Sequence, residues 1–273
     1  MDIPIIVIAH NRPDSLRRLL RSLETAVYEI PVQLYISIDG GGDPEVFATA
    51  NRFNWKHGKK EVIRHGKNLG LKKHVLACAD KSLEHDGIII LEDDLFVSPL
   101  FYCYAQQAVH FSKDDEKISG VSLYAHGFNE TAQMPFQPLS DGSDIFFMQL
   151  ASSWGQCFTK EQWSRFKRWY QGHNAKAFSE KEGVPASIIK WPEASWKKHF
   201  IRYMILNDLY FIYPRASYST NFGDDGTHHW GDNHYQASLI FNNNNISLTP
   251  FDESRAVYDS YCEILPDRLN RLT

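Results

Sequence analysis

The stretch Gly87-Ile-Ile-Ile-Leu-Glu-Asp-Asp-Leu-Phe-Val-Ser-Pro99 decides the fold of this 273-residue chain. Its glycine and apolar residues predict a buried strand over Gly87–Leu91. Three consecutive carboxylates follow that strand, Glu92, Asp93 and Asp94. In open α/β sheets ligands bind at the carboxyl ends of the strands. Three adjacent acids there repel one another, and a hard divalent cation is the usual compensation.

A structural role for the three acids is the alternative, because negative charge is favourable near a helix N-terminus. Ser98 and Pro99 predict such a helix, with an N-cap and a first-turn proline, running to about Phe111. Helix capping does not account for three acids at the end of an apolar strand. The metal site is therefore the favoured interpretation.

Strand-like and helix-like patterns alternate before this stretch, which predicts an α/β fold with a mainly parallel central sheet flanked by helices. The predicted strands are Ile3–Ala9, Val32–Ile38 and Glu61–Arg64, and the predicted helices are Pro13–Ala26 and Leu71–Leu83. The second half is less regular. It is expected to contain a surface excursion at residues 125–145, helices at Lys160–Tyr170 and Ser195–Asn207, a strand at Leu209–Tyr213 and a functional loop at Asn221–His234.

Composition excludes several classes of protein. The formal net charge is -4 with 43% hydrophobic residues, which argues against disorder and against a nucleic-acid coat. The apolar run near the N-terminus is short and follows an acid, so it predicts a strand rather than a signal peptide. The four cysteines have no paired spacing, which indicates a reducing compartment without disulfides or a zinc module.

The charge is unevenly distributed along the chain. Residues 1–75 hold 12 Lys and Arg against 8 Asp and Glu, and seven of the basic residues lie between Lys56 and Lys73. A solvated face is the ordinary explanation of such a cluster. The same cluster would suit a small molecule that carries phosphate.

Two further segments are predicted at the same sheet edge as the acids. Asp39 and three glycines end the second strand, and Asn68–His74 opens a helix with two lysines. A helix N-terminus suits phosphate, and a strand-end aspartate can accept a hydrogen bond from a nucleobase or a ribose. Taken singly, Asp39 is a turn residue and His74 a solvated one. Together with the acids they predict a nucleotide diphosphate held through a metal ion.

Four stretches of the chain resemble the GT-A glycosyltransferases, which move a sugar from a nucleotide-sugar to an acceptor hydroxyl. Within that fold family the likeness is to the N-acetylglucosaminyltransferase I group and to bacterial polysaccharide transferases with a Glu-Asp-Asp metal motif. The stretches are Pro4–Arg12, Ser37–Asp39, Leu91–Asp94 and Asp144–Phe147 leading to Ser152–Gly155. The first and third are the more specific.

The resemblance implies a role for each donor-side residue. It implies that Arg12 contacts the diphosphate, and that Asp39 and His74 bind uracil. By the same resemblance Asp94 binds Mn²⁺ or Mg²⁺, Asp93 lies near the ribose or sugar, and Glu92 lies near the donor sugar. The expected donor is therefore a UDP-sugar. One domain, 1–273, is expected, with residues 1–115 binding the nucleotide-sugar and residues 116–273 binding the acceptor.

The catalytic base is predicted with alternatives. The resemblance places it at Asp144, because an inverting transfer needs a carboxylate on the acceptor side to take the hydroxyl proton. Some bacterial relatives have an Asp directly after a Trp of the late helix, where this chain has Lys197. Glu193 or Asp225 could therefore replace Asp144. His228, in the late loop, is expected to reach the metal or the phosphate.

Two other functions remain open. A nucleotidyltransferase that makes a nucleotide-sugar usually carries a Gly-rich loop after the first strand, where this chain has only Ala9–Pro13. A non-catalytic carbohydrate-binding protein would have lost residues of the donor site. The expected acceptor is a glycan or lipid-linked glycan of the bacterial surface, because no Golgi-type anchor or stem is present. The protein is expected to be cytoplasmic or peripheral at the inner face of the plasma membrane, without a nucleic-acid partner.

Overall fold

The computed structural model describes residues 1–223, 236–242 and 246–270. The strands in these residues are β1 (Ile5–Ala9), β2 (Leu34–Ile38), β3 (Lys60–Arg64), β4 (Gly87–Glu92), β5 (Leu95–Val97), β6 (Ile118–Ser122), β7 (Phe128–Asn129), β8 (Met134–Pro135), β9 (Ile145–Met148), β10 (Gln156–Thr159), β11 (Tyr210–Pro214), β12 (Ser219–Asn221) and β13 (Val257–Tyr258). The α-helices are α1 (Pro13–Glu24), α2 (Pro44–Arg52), α3 (Leu71–Ala79), α4 (Phe101–Ser112), α5 (Lys160–His173), α6 (Ala186–Ile189), α7 (Trp196–Leu206) and α8 (Pro266–Leu269).

Nine of these strands form one sheet in the order β13-β9-β11-β6-β10-β4-β1-β2-β3. Strands β3, β2, β1 and β4 are mutually parallel, and β10 is antiparallel to both of its neighbours, β4 and β6. The mixed, mainly parallel sheet predicted from the sequence is confirmed. Because β10 runs backwards, its amino end lies at the same edge as the carboxyl ends of β1, β2 and β4.

Both faces of the sheet are covered, which explains why its strands are continuous apolar runs rather than alternating ones. Odd-numbered side chains of β1, such as Ile5 and Val7, pack with Leu16 and Leu20 of α1 and with residues of α4. Even-numbered side chains, such as Ile6 and Ile8, pack on the other face with residues of α3, α5 and α7. The carboxyl edge is thereby left as the open side of the central strands.

The structure differs from the sequence prediction at two helices. Helix α2 was not predicted; Pro44 begins it, and the carboxylate of Asp43 caps it by accepting from the Glu45 N–H at 2.8 Å. Helix α4 begins at Phe101 and not at Ser98. The Ser98 hydroxyl accepts from the Leu100 N–H at 3.1 Å, so Ser98 closes a turn before the helix.

Within the ranges described above, no helix combines the length and the apolar character needed to cross a bilayer. All four cysteines are free thiols, and Cys78 and Cys157 are buried.

Asp141 makes hydrogen bonds that link separate segments of the irregular second half. Its side chain accepts from Nη2 of Arg215 at 2.8 Å, from the Ser254 hydroxyl at 2.9 Å and from the Arg255 N–H at 3.1 Å. Burial alone would raise the pKa of Asp141, but these hydrogen bonds, that of the Ser143 N–H and the charge of Arg215 lower it overall. The carboxylate therefore holds residues 254–256 and the end of β11 against the excursion at 125–145.

Asp141→Asn should lower the free energy of unfolding by about 3 kcal/mol, because it breaks a buried ion pair. Urea unfolding at pH 7 measures this loss. The folded pKa lies below the unfolded value of about 3.9, so the difference between the two proteins should shrink as the pH falls from about 4 through the folded pKa. The control is Glu161→Gln, which breaks an exposed pair with Arg168 and should cost less than about 1 kcal/mol. Equal costs for the two substitutions would contradict this role for Asp141.

Candidate functional site

A cleft of about 570 Å³ lies along the carboxyl edge of the central strands. Strand order arranges the side chains along it. Asp39 follows β2, Arg12 follows β1, the acidic triplet ends β4, and Trp154 precedes β10. Since neighbouring strands lie roughly 4.8 Å apart, three steps from β2 to β10 span roughly 14 Å.

Arg12 joins β1 to the acidic triplet. Its Nη1 lies 3.0 Å from Oδ2 of Asp94, and its Nη2 donates to Oδ1 of Asp93. Burial raises the pKa of Asp93 to about 6 despite the opposing charge of Arg12. Burial, followed by the charge of Asp94, also raises the pKa of Glu92. The triplet thus carries negative charge that one guanidinium only partly compensates.

Asp94 retains an unused oxygen. Its Oδ1 is buried and has no hydrogen-bond partner among the described residues. A buried carboxylate oxygen of this kind suits a hard cation. Over the same part of the chain, no three His, Cys, Asp or Glu side chains are grouped so as to hold a metal by themselves. Mg²⁺ is commonly bound by one or two carboxylates together with substrate phosphates, and Asp94 fits that arrangement.

Asp39 fixes the loop that opens helix α3. Its Oδ1 accepts from the backbone N–H groups of Gly40 at 2.9 Å and Leu69 at 2.8 Å, and its Oδ2 accepts from Gly70 at 3.0 Å. Burial alone would raise the pKa of Asp39, but these backbone bonds lower it overall. The carboxylate is therefore ionised at neutral pH and held rigidly at the end of the cleft.

His74 is buried beside Asp39 and is not a solvated helix residue. Its Nε2 lies 2.8 Å from the Ser37 hydroxyl, and burial lowers the pKa of the imidazole to about 4. The ring is therefore neutral near pH 7. Asp39, Arg12, His74 and the triplet, four sequence-predicted features far apart in the chain, all line one cleft.

The opposite end of the cleft is aromatic and carries a cation. Trp154 and Trp191 both line it, and Nζ of Lys197 lies 5.3 Å from the ring centre of Trp154 and 4.7 Å from that of Trp191. Glu130 completes this end. Of the tryptophans in the second half, Trp163 and Trp196 are buried in the core instead. An aromatic face of this kind can pack against the C–H face of a sugar ring.

Gly155 explains why Trp154 can turn into the cleft. Its φ of 87° is a left-handed backbone conformation, and an added Cβ would lie 3.1 Å from the side chains of Leu123 and Ser219. The turn before β10 therefore requires glycine. The dipeptide Trp-Gly inside a sequence-predicted motif was the signal that could have identified this end of the cleft.

Lys198, the neighbour of Lys197, hydrogen-bonds to the rim of the cleft, which is the segment of residues 189–193 that carries Trp191. Its side chain is buried, and its ammonium donates to the carbonyls of Ile189 at 3.3 Å and Trp191 at 3.0 Å. It also donates to Oε1 of Glu193 at 2.7 Å. The ammonium thus fastens the segment between α6 and α7 to α7.

Two of the predicted bases, Asp144 and Glu193, do not line the cleft. Asp144 lies just before β9, four strands from β4, where its Oδ2 accepts from the Ser247 N–H at 2.8 Å. Glu193 is largely exposed, at 79% of its side chain, and is bonded to Lys198. Asp225 and His228 lie outside the described residues. Glu130, which does line the cleft, carries no motif that would have identified it from the sequence.

Lys198→Met should free the rim segment without emptying the core, because methionine has a similar shape but no ammonium. We expect the backbone amides of residues 189–193 to exchange with deuterium roughly tenfold faster. Hydrogen exchange measured by mass spectrometry reports this directly. Lys190→Met, at an exposed position of the same segment, is the control and should change nothing. Unchanged exchange in both variants would show that Lys198 does not hold the rim.

The sequence pattern described as glycosyl transferase family 2 matches residues 5–169. Among solved structures, S. aureus TarS 1-349 in complex with UDP superposes with a TM-score of 0.51 at 11% identity, over 80% of this chain and 60% of that one. Mouse xyloside xylosyltransferase 1, apo form, superposes with a TM-score of 0.46 at 13% identity, over 77% of this chain and 84% of that one. The mannosyltransferase PcManGT from Pyrobaculum calidifontis, in complex with GDP-Man and Mn²⁺, superposes with a TM-score of 0.44 at 10% identity. The match covers 60% of this chain and 46% of that one.

The chain spans between 36% and 60% of the length of the TarS chains that it matches. At these identities the structural likeness concerns the fold, whereas the family pattern extends over more than half of the chain. The chain therefore belongs to glycosyl transferase family 2, and its fold is of the GT-A class that the sequence predicted.

Proposed function

We propose that the protein transfers a sugar from a UDP-sugar to an acceptor hydroxyl with inversion at the anomeric carbon. The observation that carries the proposal is the row of side chains along one sheet edge, from Asp39 through Arg12 and the triplet to Trp154. Its length of roughly 14 Å suits an extended nucleotide-sugar. The UDP complex of TarS, which shares the fold, is consistent with a uridine nucleotide.

The residues of the cleft have complementary roles in this proposal. The ionised carboxylate of Asp39 accepts the imide N–H of uracil, and neutral His74 contacts the base beside it. Arg12 turns from the carboxylates to the diphosphate when the donor enters. Asp94 would hold a divalent cation, which would supply positive charge beside the leaving diphosphate. Glu92 and Trp154 then border the sugar that is transferred.

We assign the acceptor-side base to Glu130. A base must reach the proton that it takes, either directly or through one water. Of the carboxylates that line the cleft in the described part of the chain, Asp39 and the triplet belong to the proposed donor side, and Glu130 lies beyond them at the aromatic end. The sugar-binding groups Trp154 and Trp191 line the cleft at that same end. A base at this end would meet an acceptor hydroxyl on the far side of the sugar from the diphosphate.

The acceptor is proposed to be a glycan of the bacterial surface, as the sequence resemblance implies. A nucleotidyltransferase can be distinguished by its products, because it would combine UTP with a sugar phosphate and release pyrophosphate. A non-catalytic carbohydrate-binding protein would bind glycan without binding UDP in a metal-dependent way.

Asp94→Asn should weaken UDP binding in the presence of Mn²⁺ by about tenfold or more, because it removes the negative charge of the carboxylate that would hold the cation. Calorimetric titration with UDP measures this, and removing metal from the native protein with EDTA should have a similar effect. Asp114→Asn, at an exposed acid, is the matched control. Native-like, metal-dependent affinity in Asp94→Asn would refute the metal site.

Glu130→Gln should lower the rate of UDP release from UDP-GlcNAc or UDP-Glc by about a hundredfold while leaving UDP affinity unchanged, because it removes only the base. Asp144→Asn and Glu193→Gln test the bases considered from the sequence. If Asp144→Asn lost the activity and Glu130→Gln kept it, the base would be Asp144 and the assignment to Glu130 would be wrong.

A further inference from the structure

We infer that the acceptor is a sugar that carries a singly charged anionic group, a carboxylate or a phosphodiester, and that Lys197 binds this group at the aromatic end of the cleft. This inference rests on the proposed function and names the substrate class of its acceptor side. Lys197 lies in the first turn of helix α7 and lines the cleft together with Glu130 and Trp191.

The ammonium group of Lys197 is held in place without being neutralised. Its Nζ lies 4.7 Å from the ring centre of Trp191 and 5.3 Å from that of Trp154. A ring face attracts a cation over such distances but carries no net negative charge to balance it. In the part of the chain that the structure describes, this ammonium makes no hydrogen bond and no ion pair. Its three N–H donors are therefore left for a ligand.

Arg12 and Lys197 both line the cleft but differ in their partners. Arg12 is paired with Asp93 and Asp94. Lys197 has no acidic partner among the described residues, although Glu130 lines the same end of the cleft. An anion that enters the aromatic end would thus meet a cation that no carboxylate of the described chain already contacts.

Helix stability does not account for Lys197. It is the second residue of α7, whose first turn contains no acid. A positive charge near a helix N-terminus is unfavourable because of the helix dipole. The neighbouring Lys198 has the same disadvantage, but its ammonium donates to two carbonyls and to Glu193 and so fastens the rim. Lys197 makes no such contacts, and a residue that costs stability without a structural gain is typical of a functional site.

Lys197 can be reached by a ligand on the acceptor side. Its side chain is half-buried, and its nitrogen is not among the fully enclosed unpaired atoms of the described residues. The donor-side groups Asp39 and Arg12 lie at strand ends, whereas Lys197 and Trp191 belong to α7 and to the rim. An acceptor sugar that packs on Trp191 can therefore place an anionic group at Lys197 and a hydroxyl towards Glu130.

The charges at this end favour a group with a single negative charge. One ammonium balances one negative charge, and Glu130 adds a carboxylate to the same end of the cleft. A doubly charged phosphomonoester would therefore meet repulsion that Lys197 alone does not offset. A carboxylate, as in a uronic acid, and a phosphodiester each carry one charge and accept hydrogen bonds from an ammonium.

The test compares methyl glucuronide with methyl glucoside, which differ only in the carboxylate that replaces a hydroxymethyl group. Their affinities for the native protein are measured by saturation-transfer NMR in the presence of UDP and Mg²⁺. We expect the glucuronide to bind about tenfold more tightly. Methyl glucoside that carries a methyl phosphodiester in place of the carboxylate is measured in the same way, and the tighter of the two anionic probes identifies the group. This comparison needs no variant and so does not depend on folding.

Lys197→Met should abolish the preference for the anionic probe, because methionine keeps most of the side-chain length without the charge. Lys197→Arg should keep most of the preference, since the guanidinium also donates to an anion. Lys190→Met is the matched control, because Lys190 is an exposed lysine of the rim and does not line the cleft. Titration with UDP checks that the donor side of each variant is intact.

The outcomes separate this inference from the proposed function. Equal affinities for the anionic and neutral probes, with UDP itself binding well, would overturn the inference and leave the proposed function standing. A preference that persists in Lys197→Met would overturn the role of Lys197. If Lys197 instead favoured UDP-glucuronate over UDP-glucose, the anion would belong to the donor and the acceptor assignment would be wrong. Absence of UDP binding would overturn the proposed function as well.

Discussion

The pairing of Arg12 with Asp93 and Asp94 is the interaction on which the site depends. Strands β1 and β4 are neighbours in a parallel sheet, so the residues after each strand emerge side by side at one edge. Three carboxylates at the end of a fully buried strand would be strongly destabilising without a counter-charge, since burial disfavours their ionised forms. Arg12 supplies one positive charge, so part of the negative charge of the triplet is left uncompensated.

This arrangement explains why the sequence could predict that these residues lie together at one edge of the sheet. Parallel strands place their carboxyl ends at one edge whatever the distance along the chain, so Arg12, Asp39 and Glu92–Asp94 could be brought together by counting strands alone. His74 follows from the helix that opens beside Asp39. Helix α2 was missed although Asp43 and Pro44 supply the N-cap and first-turn proline that predict the start of a helix.

The aromatic end of the cleft could not be predicted in the same way. Glu130, Trp191 and Lys197 reach it from the β7–β8 region, the segment between α6 and α7, and the start of α7, and no strand-end rule relates these three elements. Their positions depend on buried polar contacts such as those of Lys198 and Asp141, which fix irregular segments through individual hydrogen bonds. Such contacts leave no periodicity in the sequence. The base at Asp144 was inferred from a motif whose later part, with Trp154, lines the cleft, whereas Asp144 itself lies before β9, four strands from β4.

The division between the two ends has a physical basis in what each would bind in the proposed function. A nucleotide diphosphate has fixed charge and length, so a rigid edge of parallel strands with backbone-anchored groups such as Asp39 can hold it. A sugar ring is recognised by its shape, which depends on a cavity with a few well-placed polar contacts. Irregular segments can form such a cavity because they are not held to the spacing of a sheet. The antiparallel strand β10 is the junction, since reversing one strand brings a loop, with Trp154 and Gly155, to the edge where the parallel strands end.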